Sequence, residues 1–224
     1  MNVVITYIAS EVDSPMELKY VLRSLAKNLL DAFVYLIGDK PLWYQGNHIP
    51  HTRLPLGEER NYLDAQAKLK EAAKLLPDFV WWMDDQFLVK PIEEEWLKVP
   101  RNQPLFVRET EYGKVKKRTL DKLKQLGKTQ LDYGTHLPFY FESQKLLALE
   151  SLGWGKRPAL LTDCLYYNYY DCKPTMSDTQ ALFRIKRNTG AIQPAIIWNT
   201  QAGMFNKIEF ALAKMFPEKS RYEG

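Results

Sequence analysis

The chain has 224 residues, enough for a sizeable core in one domain or a compact two-lobed one. Hydrophobic residues at 46% and charged residues at 26% place it among ordinary globular proteins, and no run reaches the roughly 18 apolar residues of a membrane span. The net charge of +4, from 31 Lys+Arg against 27 Asp+Glu, permits an anionic partner without demanding one.

Val3 to Ile8 is a short β-branched run and predicts the first buried strand. After the loop Ala9 to Asp13, Ser14-Pro-Met-Glu17 reads as a helix start. Ser14 caps, Pro15 suits the first helical position, and Glu17 completes a capping box. Leu18, Val21, Leu22, Leu25 and Leu29 follow at helical spacing, with Lys19, Arg23 and Lys27 facing water. Phe33 to Ile37 predicts a second strand, stopped by Gly38-Asp39-Lys-Pro41, so the opening is a βαβ unit with parallel strands. Residues 41 to 57, with Pro41, Pro50, Pro55, Gly46, Gly57, His48 and His51, show no period and predict a surface loop. Glu58 to Leu76 predicts a helix packing through Tyr62, Leu69, Ala72, Ala73 and Leu76.

The next stretch, Phe79 to Ile92, runs apolar residues straight into Asp84 and Asp85 and resumes after Gln86. A continuous apolar run of this kind fits a strand buried on both faces of a mostly parallel sheet. The two aspartates then fall at its carboxyl end, where open α/β sheets place their ligands. Adjacent ionised carboxylates repel, and a divalent cation such as Mg²⁺ or Mn²⁺ relieves that while leaving positions open for substrate phosphates. Asp pairs are also ordinary turn residues.

Beyond Pro91, Ile92 to Leu97 predicts a short acidic helix and Pro104 to Arg108 a strand. Lys114, Lys116, Lys117, Arg118, Lys122, Lys124 and Lys128 form a basic run, with a helix from about Lys117 to Leu126. Such a run is either a solvated helix face or a phosphate-binding patch. Leu131 to Phe141 concentrates Asp132, Thr135 and His136 before Pro138 and an aromatic strand. A helix capped by Ser143 runs to Leu152, and Leu160 to Tyr170 predicts a buried helix containing Asp163. Pro174 to Asp178 reads as a loop, Phe183 to Arg187 and Ala195 to Trp198 as late strands, and Asn206 to Phe216 as a final amphipathic helix. Cys164 and Cys172 match no zinc or redox spacing, which predicts free thiols. With no signal-peptide pattern at Met1 to Tyr7, the expected setting is the cytoplasm.

Four stretches stand together in order: Glu17 to Asn28 (Glu-Leu-Lys-Tyr-Val-Leu-Arg-Ser-Leu-Ala-Lys-Asn), Leu36 to Trp43 (Leu-Ile-Gly-Asp-Lys-Pro-Leu-Trp), Met83 to Phe87 (Met-Asp-Asp-Gln-Phe) and Tyr133 to Pro138 (Tyr-Gly-Thr-His-Leu-Pro). The set resembles small bacterial and phage glycosyltransferases with a GT-A-like fold and, more distantly, the Stealth-type capsular polysaccharide phosphosugar transferases. Met215 to Glu223 looks like the tail of the small phage enzymes. The resemblance implies an α/β fold, with a Rossmann-type mostly parallel sheet flanked by helices and a mixed C-terminal half. It implies a single domain over residues 1 to 224, with a nucleotide-sugar half (1 to 92) and an acceptor half (93 to 224). It also implies a nucleotide-sugar donor and Mn²⁺ or Mg²⁺, with Asp84 and Asp85 as a compressed DXD-like element.

On the same resemblance Ser10, Glu11 and Asp39 lie where such folds hold base and ribose. Arg60, Asn61 and Lys68 are candidate donor contacts, with solvent exposure the plainer reading of each. His136 admits three roles: third metal ligand, general base, or core histidine bonded to backbone. Asp132, Asp163 and Asp178 are rival bases. The basic run and the tyrosines at 166 to 170 suit an anionic, stackable acceptor such as a hydroxylated base in phage DNA, or equally a polysaccharide. A phage-encoded enzyme would work in the host cytoplasm. Three activities stay open: a metal-dependent glycosyltransferase, a Stealth-like phosphosugar transferase that releases a nucleoside monophosphate, and a non-catalytic nucleic-acid or carbohydrate-binding module.

Overall fold

The β-branched opening segment forms strand β1 (Asn2–Tyr7), and Ser14 starts helix α1 (Pro15–Asn28) by accepting the Met16 N–H at 3.3 Å. The computed structural model describes residues 1–9, 14–55, 57–176 and 181–224. Within them the chain continues through β2 (Phe33–Gly38), β3 (Asn47–Pro50), α2 (Arg60–Leu75), β4 (Asp78–Trp82), β5 (Gln86–Leu88), α3 (Glu94–Lys98), β6 (Arg101–Asn102) and α4 (Glu111–Gln125). It ends with β7 (Phe139–Glu142), α5 (Ser143–Ala148), α6 (Thr162–Tyr169), β8 (Thr175–Met176), β9 (Leu182–Ile185), β10 (Ile197–Thr200) and α7 (Glu209–Met215).

The central sheet has the order β3-β2-β1-β4-β7, parallel except for β7. This is the mixed α/β architecture with a mostly parallel sheet that the strand–helix alternation predicts. Because side chains alternate along a strand, the sheet feeds two cores. Val3, Ile5, Val80 and Trp82 pack with the α1 stripe (Leu18, Val21, Leu22, Leu25, Leu29) on one face. Val4, Ile37 and Phe79 pack with α2 and α6 on the other. A second sheet, β5-β10-β9, leans on the first core, with β10 antiparallel to β5 and parallel to β9.

The sequence departs from the fold in several places. Part of the loop at 41 to 57 pairs as the edge strand β3 beside β2, where only one ladder is needed and Pro50 is tolerated. The apolar run from Phe79 breaks at Asp84 and Asp85 into β4 and β5, which join different sheets. No strand forms at 104 to 108, where Leu105, Phe106 and Val107 are exposed; pairing is confined to β6 with β8 and a Gln103–Asp132 bridge. Helix α4 begins earlier than its leucines suggest, because Thr110 caps it by accepting the Gly113 N–H at 3.1 Å. Ser143 is the first residue of α5 rather than its cap. The water-facing side of α1 holds the chain's last residues: Arg23 donates to both Glu223 oxygens, at 2.8 and 2.7 Å, and Lys27 donates to the Met215 carbonyl.

Candidate functional site

The strand order turns back between β1 and β4: β2 and β3 lie to one side of β1, and β4 lies to the other. Such a switch point leaves a crevice at the carboxyl ends of the strands, the usual ligand position in open α/β sheets. A small cavity of about 100 Å³ sits there, lined by Tyr7 and Ile8 from the end of β1, Ser14, Glu17 and Leu18 from the cap and first turn of α1, Asp84 and Asp85 from the turn after β4, Thr200 at the end of β10 and Ala202 just beyond it. Glu17 is buried and accepts from the Thr200 hydroxyl.

The acidic turn is held from every side. Gln86 N–H donates to the Met83 carbonyl at 3.3 Å, and the Gln86 side-chain oxygen accepts the Met83 N–H at 3.0 Å. The Asp85 carbonyl accepts from Thr200 N–H and from the Asn199 amide. The Gln86 amide nitrogen donates to the His136 carbonyl at 2.7 Å, and the Trp82 indole donates to the Gln86 carbonyl at 2.8 Å. Gln86 is fully buried and so needs partners for its whole amide group. It couples the acidic turn to the segment that carries His136.

His136 adopts φ +55°, a left-handed conformation that a non-glycine residue holds only when its surroundings enforce it. The Arg184 guanidinium, projecting from β9, donates to His136 Nε2 at 2.5 Å. Burial, and then the Arg184 charge, lower the His136 pKa to about 4, so the ring is neutral at pH 7. The ring is thus neutral and half-buried, with Nε2 engaged by the Arg184 side chain rather than by backbone. His136 does not line the acidic cavity; it lines two other recesses, each larger than that cavity.

The first of these recesses is a mostly apolar pocket of about 250 Å³. Its walls include Asn61, Tyr62 and Gln66 of α2, Trp81 and Met83 at the end of β4, Tyr112, Gly134, His136, and Thr162 and Asp163 at the start of α6. Asp163 is 8% exposed, and its pKa rises to about 6, first through burial and further through the nearby Asp132 charge, against the Cys164 N–H. The second is a wider groove of about 570 Å³ between the 103–112 segment, the Gly134–His136 turn and the end of β9.

The remaining predicted site residues are dispersed. Asp132 is buried in an ion pair with Lys116 at 2.5 Å; it also accepts the Gly134 N–H at 3.0 Å and the Gln103 amide at 3.3 Å. Lys68 is 2% exposed, paired with Asp64 at 2.9 Å and donating to the Tyr7 carbonyl at 3.2 Å, so the solvent-exposed reading of that lysine is corrected. Burial opposes ionisation of Asp64, but the Leu54 N–H and Lys68 outweigh it and hold the carboxyl below its usual range. Asp39 is exposed at the end of β2, where it accepts the Ala9 N–H at 2.8 Å. Asn61 is exposed at the mouth of the apolar pocket, and Arg60 is half-buried in the first turn of α2. Ser10, Glu11 and Asp178 lie outside the described residues.

The tyrosines offered for acceptor stacking are largely internal, whereas in the basic run only Lys116 is buried. Tyr166 and Tyr167 are buried in the core, Tyr169 and Tyr170 are half-buried, and Lys116, Lys117, Arg118 and Lys128 pair with Asp132, Asp121, Glu59 and Asp171. Gln86 and Arg184 went unnoticed in the sequence as site residues. Their signal was a polar residue inside a short apolar strand, which demands a buried partner without naming it.

No family model matches the chain, and no curated protein matches it by sequence. Solved structures do share its fold. A galactosyltransferase, LgtC, crystallised in complex with donor and acceptor sugar analogues, superposes with a TM-score of 0.52 at 10% identity, covering 99% of this chain and 98% of that one. An active-site mutant of LgtC gives a TM-score of 0.52 at 9% identity, again covering 99% of this chain and 98% of that one. At this identity the likeness is one of fold, and the fold is GT-A-like.

Proposed function

We propose that the chain is a glycosyltransferase that moves a sugar from a nucleotide-sugar donor to a hydroxyl acceptor. The observation that carries this reading is the acidic turn at the switch point, with Asp84 and Asp85 lining one cavity with the end of β1. Among the described residues no three His, Cys, Asp or Glu side chains converge as a metal cage. That suits Mg²⁺ or Mn²⁺, which take one or two carboxylates and complete their shell with substrate phosphates and water. Two hard oxygen donors on one turn therefore fit such an ion. When bound, it would neutralise the charge growing on the departing nucleoside diphosphate.

The chain's own groups divide the remaining work. Asp84 and Asp85 hold the ion, Gln86 keeps their turn rigid, and Asp39 accepts from the ribose hydroxyls. The Lys68–Asp64 pair supports the strand ends beneath the donor. Asp163 faces the apolar pocket and serves as the base for the acceptor hydroxyl. A pKa near 6 leaves it ionised at neutral pH yet a better proton acceptor than an ordinary carboxylate. Asp132 would have to leave a buried ion pair to do the same, and His136 has its Nε2 engaged. Residues 1 to 92 form the donor side and 93 to 224 the acceptor side, with Thr200 and Ala202 reaching back to close the donor cavity.

The test is a thermal melt with UDP, GDP, CDP and ADP, each with and without Mn²⁺. One diphosphate should stabilise the chain in a Mn²⁺-dependent way, and Asp84→Asn or Asp85→Asn should abolish the shift. A flat response to all four sinks the reading. A shift that survives both substitutions moves the ion elsewhere. Identifying the released nucleotide then separates sugar transfer (diphosphate) from phosphosugar transfer (monophosphate).

A further inference from the structure

The groove beside His136 has no part in the donor chemistry above. Among the described residues its lining contains Arg108, Arg184 and Lys186, and no aspartate or glutamate. Lys116 also reaches it, but that charge is balanced by Asp132 at 2.5 Å. Arg108 and Lys186 are exposed, and neither forms an ion pair among the described residues. The Arg184 side chain is half-buried, and its buried Nε has no hydrogen-bond partner among them. Burial lowers the Arg184 pKa, with Asp85 opposing that effect. Three cations around one recess repel one another, and a buried guanidinium N–H without an acceptor costs free energy. An oxyanion in the groove relieves both.

The wall carrying Arg108 is built to stay in place. A Cβ at Gly113 would lie 1.8 Å from the Arg108 carbonyl oxygen, so only glycine lets the first turn of α4 approach that backbone so closely. The Arg108 guanidinium rests over the Phe106 ring, 5.3 Å from its centroid. The groove shares His136, Gly134 and Tyr112 with the apolar pocket that holds Asp163, whereas the acidic cavity shares no lining residue with either. A molecule lying in the groove thus continues into the pocket past the residues that the two share.

We infer that this groove binds an anionic group, phosphate or carboxylate, carried by the acceptor, held by Arg108, Arg184 and Lys186 while the acceptor hydroxyl enters the pocket at Asp163. The inference rests on the glycosyltransferase reading for the word acceptor and on the groove alone for the anion. Glucose 6-phosphate, glucuronate and glucose are the probes, titrated calorimetrically into the chain and into an Arg108→Gln/Lys186→Gln variant, with and without the stabilising nucleoside diphosphate and Mn²⁺.

At least one charged probe should bind the unaltered chain roughly tenfold or more tightly than glucose, as charge-assisted hydrogen bonds require. That advantage should vanish in the variant, shrink with added salt, and persist with the diphosphate bound. The phosphate and carboxylate arms tell which oxyanion the groove takes. Charged probes that bind no better than glucose, alongside a normal Mn²⁺-dependent diphosphate shift, overturn the inference and leave the glycosyltransferase reading standing. Displacement of the charged probe by the diphosphate, or loss of the diphosphate shift in the variant, assigns the groove to the donor and also overturns it. Retained anion binding with no diphosphate shift removes the acceptor role together with the glycosyltransferase reading.

Discussion

Replacing Asp163 by Asn removes a carboxyl group that is 8% exposed at the start of α6 and keeps an oxygen able to accept the Cys164 N–H. Its pKa moves from an ordinary 3.8 to about 6, chiefly because burial strips water from the charged form. At about 1.4 kcal/mol for each tenfold change in proton affinity, ionising Asp163 in the folded chain costs about 3 kcal/mol more than in the unfolded one. The sign follows from proton binding. Below pH 3.8 both states are protonated and the residue costs nothing. Between 3.8 and 6 the unfolded chain releases its proton while the folded chain keeps it, so stability falls as pH rises, and above 6 the whole cost is present. Asp163→Asn should therefore be more stable than the unaltered chain by up to about 3 kcal/mol at pH 8, with the gap closing by about pH 4. Urea unfolding at a series of pH values measures it, and taking differences cancels the titration of groups not coupled to Asp163. Sugar transfer should fall by about 10²- to 10⁴-fold in the same variant if Asp163 is the base. A variant that is destabilised equally at pH 4 and pH 8 would refute the reasoning, because the carboxylate would then bear no ionisation penalty.

Two further substitutions probe the scaffold around the site. Gln86→Ala strands the Met83 N–H and the His136 carbonyl, each worth about 1–3 kcal/mol when buried without a partner, so denaturant midpoints should drop and the Mn²⁺-dependent nucleotide shift should weaken. Unchanged stability would mean that the turn is held without this amide. Lys116→Met leaves Asp132 buried and unpaired, at a cost of about 3–5 kcal/mol. The double variant Lys116→Met/Asp132→Leu should recover much of that loss, and a double-mutant cycle with strictly additive effects would show that the pair is uncoupled.

Local pattern was enough to determine much of this protein. The β-branched run, the Ser14-Pro15 start and the leucine stripe specify β1 and α1 because neighbouring residues decide capping and amphipathicity. The position of Asp84 and Asp85 after a buried strand was legible for the same reason, since an apolar run cannot continue through two charges. What the sequence could not supply is which distant segments meet. Gln86 has value only because His136 lies within reach, Arg184 only because β9 lies beside β10, and Asp163 acquires its raised pKa from a pocket assembled by α2, β4 and α6. The basic run shows the converse: seven closely spaced cations in sequence look like a patch, yet the fold gives Lys116, Lys117, Arg118 and Lys128 carboxylate partners. Meanwhile Arg108 and Lys186, far apart in the chain, meet across one groove. Burial and charge balance are properties of three-dimensional neighbourhoods. The chain order therefore marks where chemistry can sit, and the tertiary structure decides which groups are free to perform it.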